Sequence, residues 1–150
     1  MHYKAKMLFL AALFGGVLVA TPLLASEHTP EYLGANPDMP FSDAVRAGGV
    51  LYLTGKLGIV PGTRALAEGG IGPETRQTME NIKASLERHG SSMEQVIKCT
   101  VFLADIDEWA AMNDVYKTYF PTNKPARSAV GVSGLALDGR VEIECIAAVD

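Results

Sequence analysis

Glu142 and Glu144 are the residues whose type and spacing point most directly to chemistry. They stand two apart in residues 141–149, which are otherwise apolar. In a strand, successive side chains point to opposite faces, so both carboxylates share one face with Ile146, while Val141, Ile143, Cys145 and Ala147 share the other. Two carboxylates on a sheet face that also carries apolar residues belong at a subunit interface or in open solvent, and the pattern leaves both readings open. Cys99 and Cys145 are the two cysteines. A disulfide is chemically allowed outside the cytoplasm. Both residues lie inside apparent strands, where free cysteine is commonly buried, so two buried thiols are the expectation.

Other chemistries have little support. His2, His28 and His89 are far apart, with no cysteine or acidic partner at metal-ligand spacing. The glycine pairs at 48–49 and 69–70 lack the context of a phosphate loop, and Ser91, Ser92 and Ser128 sit on no nucleophile elbow.

The elements that must position these residues follow from periodicity. Residues 26–40 are polar and rich in turn formers and read as a leader with little regular structure. Residues 42–47 and 50–54 flank Gly48-Gly49, a pair suited to a tight hairpin, and 57–60 extend the sheet. A helix is predicted over 73–89: Pro73 suits its first turn, Glu74 complements its positive start, Gly90 stops it, and Met79, Ile82 and Leu86 form its apolar stripe. Residues 96–103 read as a strand. Asp105 and Glu108 have capping-box spacing for a second helix ending near Phe120, and its stripe of Trp109, Met112, Val115, Tyr116 and Tyr119 reads as core. Strands over 128–132 and 141–149 complete the order β-β-(β)-α-β-α-β-β. Two amphipathic helices then cover one face of one mixed sheet, an α+β two-layer sandwich.

The chain is 150 residues long, room for one domain with a real core. Lys4 and Lys6 precede an apolar run from Met7 to Ala25 that carries Gly15, Gly16 and Pro22 and exits at Ala25-Ser26. That pattern predicts a cleaved secretory signal over 1–25 rather than a retained membrane anchor, and so a periplasmic or secreted protein with no membrane attachment after cleavage. Without 1–25 the balance is 11 basic against 17 acidic residues, a net charge of −6. Such a charge opposes nucleic-acid binding, whose affinity comes largely from neutralising phosphates.

Pro125-Ala126-Arg127-Ser128-Ala129-Val130, followed at short distance by Val141-Glu142-Ile143-Glu144, closely resembles the signature of the RidA/YjgF family. Supporting matches are Pro40-Phe41-Ser42 with Ala44-Val45, Leu53-Thr54-Gly55, Thr75-Arg76-Gln77 with Asn81, and Val101-Phe102-Leu103-Ala104-Asp105 ahead of Asn113 and Tyr116. The resemblance covers about residues 38 to 149 and divides the chain into a signal (1–25), a flexible leader (26–37) and a RidA-like domain (38–150). It implies a chorismate-mutase-like α+β fold and a homotrimer, with three sheets closed around a central barrel and three clefts between neighbours. It also implies hydrolysis of small, carboxylate-bearing imines and enamines to 2-oxo acids and ammonia, with no metal or organic cofactor.

Carried over by resemblance, Arg127 grips the substrate carboxylate, which a permanently charged, fork-shaped guanidinium does well. Its structural alternative is an ion pair with Glu142 or Glu144. Glu142 matches the glutamate that positions or activates the attacking water. Gly55 matches the loop offering a backbone N–H to the carboxylate. Asn113 matches an asparagine near the cleft, with a helix–strand bond as its plainer reading. Two positions depart from active relatives: Phe41 stands where tyrosine is common and Ala129 where cysteine is. Lys56 replaces a frequent glutamine and adds a cation near the cleft. These departures keep a second hypothesis alive, a non-catalytic trimer that binds a small carboxylate or protects other proteins.

Overall fold

The computed structural model describes residues 29–149, and the apolar segment at 1–25 lies outside the described residues. Seven strands form one sheet: β1 (Glu31–Leu33), β2 (Ala44–Ala47), β3 (Val50–Leu53), β4 (Lys56–Leu57), β5 (Val96–Leu103), β6 (Ala126–Gly131) and β7 (Val141–Ala148). Their order is β1-β2-β3-β7-β5-β6, with β4 also paired to β7. Only β5 and β6 run parallel, so the sheet is mixed. Helix α1 (Ile71–Arg88) packs on β7, β4 and β3, and α2 (Trp109–Tyr116) packs beside α1. This is the α+β sandwich the periodicity calls for.

The core lies between the helices and one sheet face. Met79, Ile82 and Leu86 of α1 are fully buried, as are Leu51, Val101, Val141 and Ile143 of the sheet. Burying a side chain of this size stabilises the fold by about 1.5–3 kcal/mol. The turn between β2 and β3 places Gly48 and Gly49 at φ of 58° and 75°, the primed hairpin geometry that glycine adopts without cost. Glu74 does more than complement the helix start. It is buried, and its Oε1 accepts from the backbone N–H groups of Arg140 (2.8 Å) and Val141 (3.3 Å), tying α1 to the start of β7.

Four expectations are corrected. The leader is not without regular structure: Glu31–Leu33 adds an edge strand to β2, its register set by backbone pairing that turn-forming neighbours conceal. The capping box is half made. Asp105 accepts from the Asp107 N–H at 2.9 Å, but Glu108 turns to Arg140 because the first turn is a 3-10 turn facing that loop. The aromatic stripe is not all core, since Trp109 is 41% exposed. Finally, Cys99 and Cys145 are not thiols. They face each other across the antiparallel β5–β7 pair and form a disulfide. A strand assignment for each cysteine does not reveal that the two strands are neighbours in matching register.

Candidate functional site

Strand register decides which side chains meet. Cys99 lies opposite both Arg127 on β6 and Cys145 on β7, so Arg127 points to the helix-covered side. Ala129 is two residues further along β6 and shares that side. Glu142 alternates with buried Val141 and Ile143 on β7 and so points to the opposite side, together with Glu144. Within one chain, Arg127 and Glu142 are therefore on opposite faces of the sheet, and the ion pair considered from sequence does not form.

Around Arg127 the surroundings come from α2. The Arg127 guanidinium donates through Nη1 to Asn113 Oδ1 at 2.9 Å. Its central carbon lies 4.7 Å from the Tyr116 ring centroid and 5.5 Å from that of Trp109, within cation–π range. Burial pushes the Tyr116 hydroxyl up to about 12, against the pull of the Arg127 charge. Among the described residues, no carboxylate lies within ion-pairing distance of Arg127. The anchored guanidinium opens on a hollow of about 370 Å³ beside Lys124 and Pro125, an arrangement chemically able to take an anion.

A second group assembles around Gly55, where β4 begins. Leu57 lies opposite Glu142 in the β4–β7 register, which brings the Glu142 carboxylate over Gly55. A Cβ at position 55 would sit 2.0 Å from Glu142 Oε1, so only glycine leaves the carboxylate where it is. Phe41, Gly55 and Lys56 line a cleft of about 530 Å³. Lys56 is not free in it, because its ammonium is bound by Asp43. The Asp43 carboxylate also accepts from Ser85 Oγ (2.7 Å) and Arg88 Nη1 (3.2 Å), and it contacts His89 Nε2 at 2.8 Å. Burial alone would raise its pKa. The bonds from Lys56, Ser85 and His89 outweigh that and hold the carboxyl well below the usual carboxylate range. Asn81 of α1 fixes the same wall by donating to the carbonyls of Leu57 and Ile59, both at 2.9 Å.

Comparison with known proteins relates the chain to others in sequence and fold. A family model described as Endoribonuclease L-PSP matches residues 34–149. The chain is 45% identical to a RutC family protein of Pyrococcus horikoshii over 125 residues, covering 83% of this chain and 95% of that one. The chain belongs to the RidA/YjgF family. A second relative of the RidA/YjgF family is the 2-iminobutanoate/2-iminopropanoate deaminase of Capra hircus, 44% identical over 83% of this chain and 88% of its own. The crystal structure of E. coli TdcF with bound serine superposes with a TM-score of 0.71 at 32% identity, covering 79% of this chain and 94% of that one.

Of the site residues expected from the RidA/YjgF signature, one chain brings Phe41, Gly55, Lys56 and Glu142 to one cluster and Arg127, Asn113 and Ala129 to the other. Three participants were not foreseen. Trp109 and Tyr116 read as core stripe yet clamp Arg127, and their spacing along α2 carried no sign of the arginine. Asp43 stands two residues after Phe41, and its pairing with Lys56 depends on a fold that brings β2, β4 and the end of α1 together.

Proposed function

We propose that this protein hydrolyses 2-imino acids and their enamine tautomers, R–C(=NH)–COO⁻ plus water giving R–C(=O)–COO⁻ and ammonia, in clefts formed between copies of the chain. The observation that carries this reading is the Arg127 guanidinium, anchored by Asn113 and two aromatic rings with no carboxylate partner among the described residues. Arg127 of one copy holds the substrate carboxylate by charge-assisted hydrogen bonds, and the Gly55 N–H of a neighbour supports it. Glu142 of that neighbour orients a water at the imine carbon and takes its proton as the C–O bond forms. Glu142 passes that proton to the nitrogen, and the nitrogen takes the second proton from the hydroxyl of the resulting carbinolamine and leaves as ammonia as the carbonyl forms. A shared cleft follows from the opposite placement of Arg127 and Glu142, and β6 ends the sheet with an open edge where a neighbour can dock. A homotrimer is the assembly in this proposal.

Export of the chain is part of the same proposal. The signal-like pattern of 1–25 supports it, and the Cys99–Cys145 disulfide suits an oxidising compartment. Cell fractionation reads this directly, and a cytoplasmic, unprocessed protein would reject it.

Phe41 and Ala129 favour the second reading, binding without turnover, since neither offers a side-chain hydroxyl or thiol to water in the cleft. The deciding assay follows ammonia release from imines freshly generated by an amino-acid oxidase, with the protein and its Arg127→Ala variant side by side. Acceleration lost in the variant supports the hydrolase. Ligand-dependent stabilisation with no acceleration supports the binder.

A further inference from the structure

Arg127 is held at two levels that are not equally secure. Its guanidinium is gripped by Asn113, Tyr116 and Trp109. Its backbone rests on β5 alone, because β6 ends the sheet and is hydrogen-bonded to no other strand among the described residues. The β5 residue opposite Arg127 is Cys99. β5 is also the one strand between β6 and β7, so it sets where Arg127 lies relative to Glu142 on β7.

Just before that level β5 is irregular. Val96 lies opposite Ala147 and Lys98 opposite Ile146, which leaves Ile97 as an extra residue on β5. Such a bulge interrupts the ladder and lets the strand bend. Regular pairing resumes at Lys98, and at the next residue Cys99 is joined covalently to Cys145 of β7. Both cysteines are 1% exposed, on the face that also carries Arg127. Two apolar side chains of similar volume would serve the packing there. Only a covalent bond also fixes β5 against β7 at the level from which Arg127 projects.

We infer that the Cys99–Cys145 disulfide is a positioning element for Arg127, so that the chain gains its full affinity for small carboxylates only on oxidation. The inference takes Arg127 as the carboxylate site from the proposed function. Oxidation transfers two electrons and two protons from the cysteine thiols to an external disulfide, which leaves as two thiols. One cysteine thiolate attacks that disulfide, and the other displaces the resulting mixed disulfide. Because both sulfurs are buried, this exchange belongs to the folding chain, and the folded protein keeps the bond.

The experiment compares three forms: the oxidised protein, the same protein unfolded and refolded in dithiothreitol, and a Cys99→Val/Cys145→Ala variant without thiols. Thermal melts establish that each is folded. Pyruvate binding is followed by the fluorescence of Trp109, the only tryptophan in the chain, whose ring centroid is 5.5 Å from the Arg127 guanidinium. Amide hydrogen exchange over 126–131 reads the β6 backbone without any ligand. The Kd for pyruvate is expected to rise about tenfold or more in the reduced protein and the variant, as displacement of a binding group by a fraction of an ångström allows. Exchange in β6 should quicken with no matching change in α1, and reoxidation of the refolded protein should restore both. Equal pyruvate affinity in all three forms overturns the inference and leaves the bond a staple for stability. Exchange that quickens alike in β6 and α1 overturns it as well, since the loss is then global. Failure of both altered forms to melt cooperatively does the same, because the bond would then hold the whole fold. Absence of pyruvate binding by the oxidised protein instead removes Arg127 as the carboxylate site; β6 exchange then decides positioning alone, upheld if reduction quickens it selectively and overturned if not.

Discussion

The Glu142 carboxylate occupies the space a side chain at Gly55 would fill, with Oε1 2.0 Å from the position of a Cβ there. The clash would be with the end of a flexible side chain, so an alanine at 55 is accommodated by swinging the carboxylate aside. Structure is then spared and function is not. Gly55→Ala is expected to leave the melting temperature within a few degrees of the parent while reducing imine hydrolysis by at least about tenfold, since a positioned general base contributes roughly 10²–10⁴-fold. Thermal melts and initial rates on the same preparation check this; a collapse of stability with full specific activity in the remaining folded protein would refute it.

Arg127 and Asn113 separate charge from orientation. In the proposed mechanism Arg127→Ala removes the charge-assisted contact to the substrate carboxylate and should reduce kcat/KM about a hundredfold or more. Asn113→Ala leaves the charge and loosens the guanidinium, for an expected loss of roughly tenfold. Asn113→Asp is the sharper variant. It supplies Arg127 with the carboxylate partner it lacks, so KM should rise more than in Asn113→Ala although the hydrogen bond is kept. An aspartate variant that binds substrate as well as the parent would remove Arg127 from carboxylate recognition.

Mixing inactive variants tests the shared cleft. Arg127→Ala and Glu142→Gln are each expected to be inactive alone. Dissociated and reassembled together, they form some clefts from the intact half of each, and random mixing should restore about a quarter of the parent activity. Light scattering should give three times the chain mass. Absence of any recovery from trimers proven to be mixed would place both residues in one chain's site, against the register of β5, β6 and β7.

Acid and base limbs of the stability profile have identifiable sources. The Asp43 carboxyl is depressed in the folded protein, so its contribution is fully present above its unfolded pKa of about 4 and is lost as pH falls towards the lower folded value. Asp43→Asn should be less stable at neutral pH, and its stability should fall less steeply below about pH 4. Tyr116 and Tyr119 are raised to about 12 by burial, Tyr119 further by Glu80. Their contribution is present below the ordinary tyrosine value near ~10 and is lost as pH rises through about 12. Denaturation midpoints measured against pH check both limbs; an acid limb that is unchanged in Asp43→Asn would refute the assignment.

The disulfide predicts the thiol count. Unfolded without reductant, the protein should show no free sulfhydryl, and after reduction it should show the two of Cys99 and Cys145. Reduction should lower stability by about 2–4 kcal/mol, read from urea midpoints, because the crosslink closes a long loop. Detection of both thiols in unreduced protein would restore the expectation drawn from the sequence.

What was legible in the chain depended on short range. The alternation in residues 141–149 already separated Glu142 and Glu144 from the core face, and the spacing of Met79, Ile82 and Leu86 already marked the buried stripe of α1. Both patterns follow from the local geometry of strand and helix, which repeats within a few residues. The RidA/YjgF signature named Arg127, Glu142 and Gly55 because residue types at close spacing were enough.

The sequence by itself therefore determined the family, the two helices and the longer strands with the apolar faces of α1 and β7, but not the edge strand Glu31–Leu33 or the exposure of Trp109. The tertiary structure decided which distant residues meet. It paired Cys99 with Cys145, set Trp109 and Tyr116 against Arg127, locked Lys56 to Asp43 and placed Arg127 and Glu142 on opposite faces. Each of these depends on the register between strands far apart in the chain, and a shift of one residue would send every side chain of a strand to the other face. No local pattern carries that register; it is set by how the helices and sheet together bury the core.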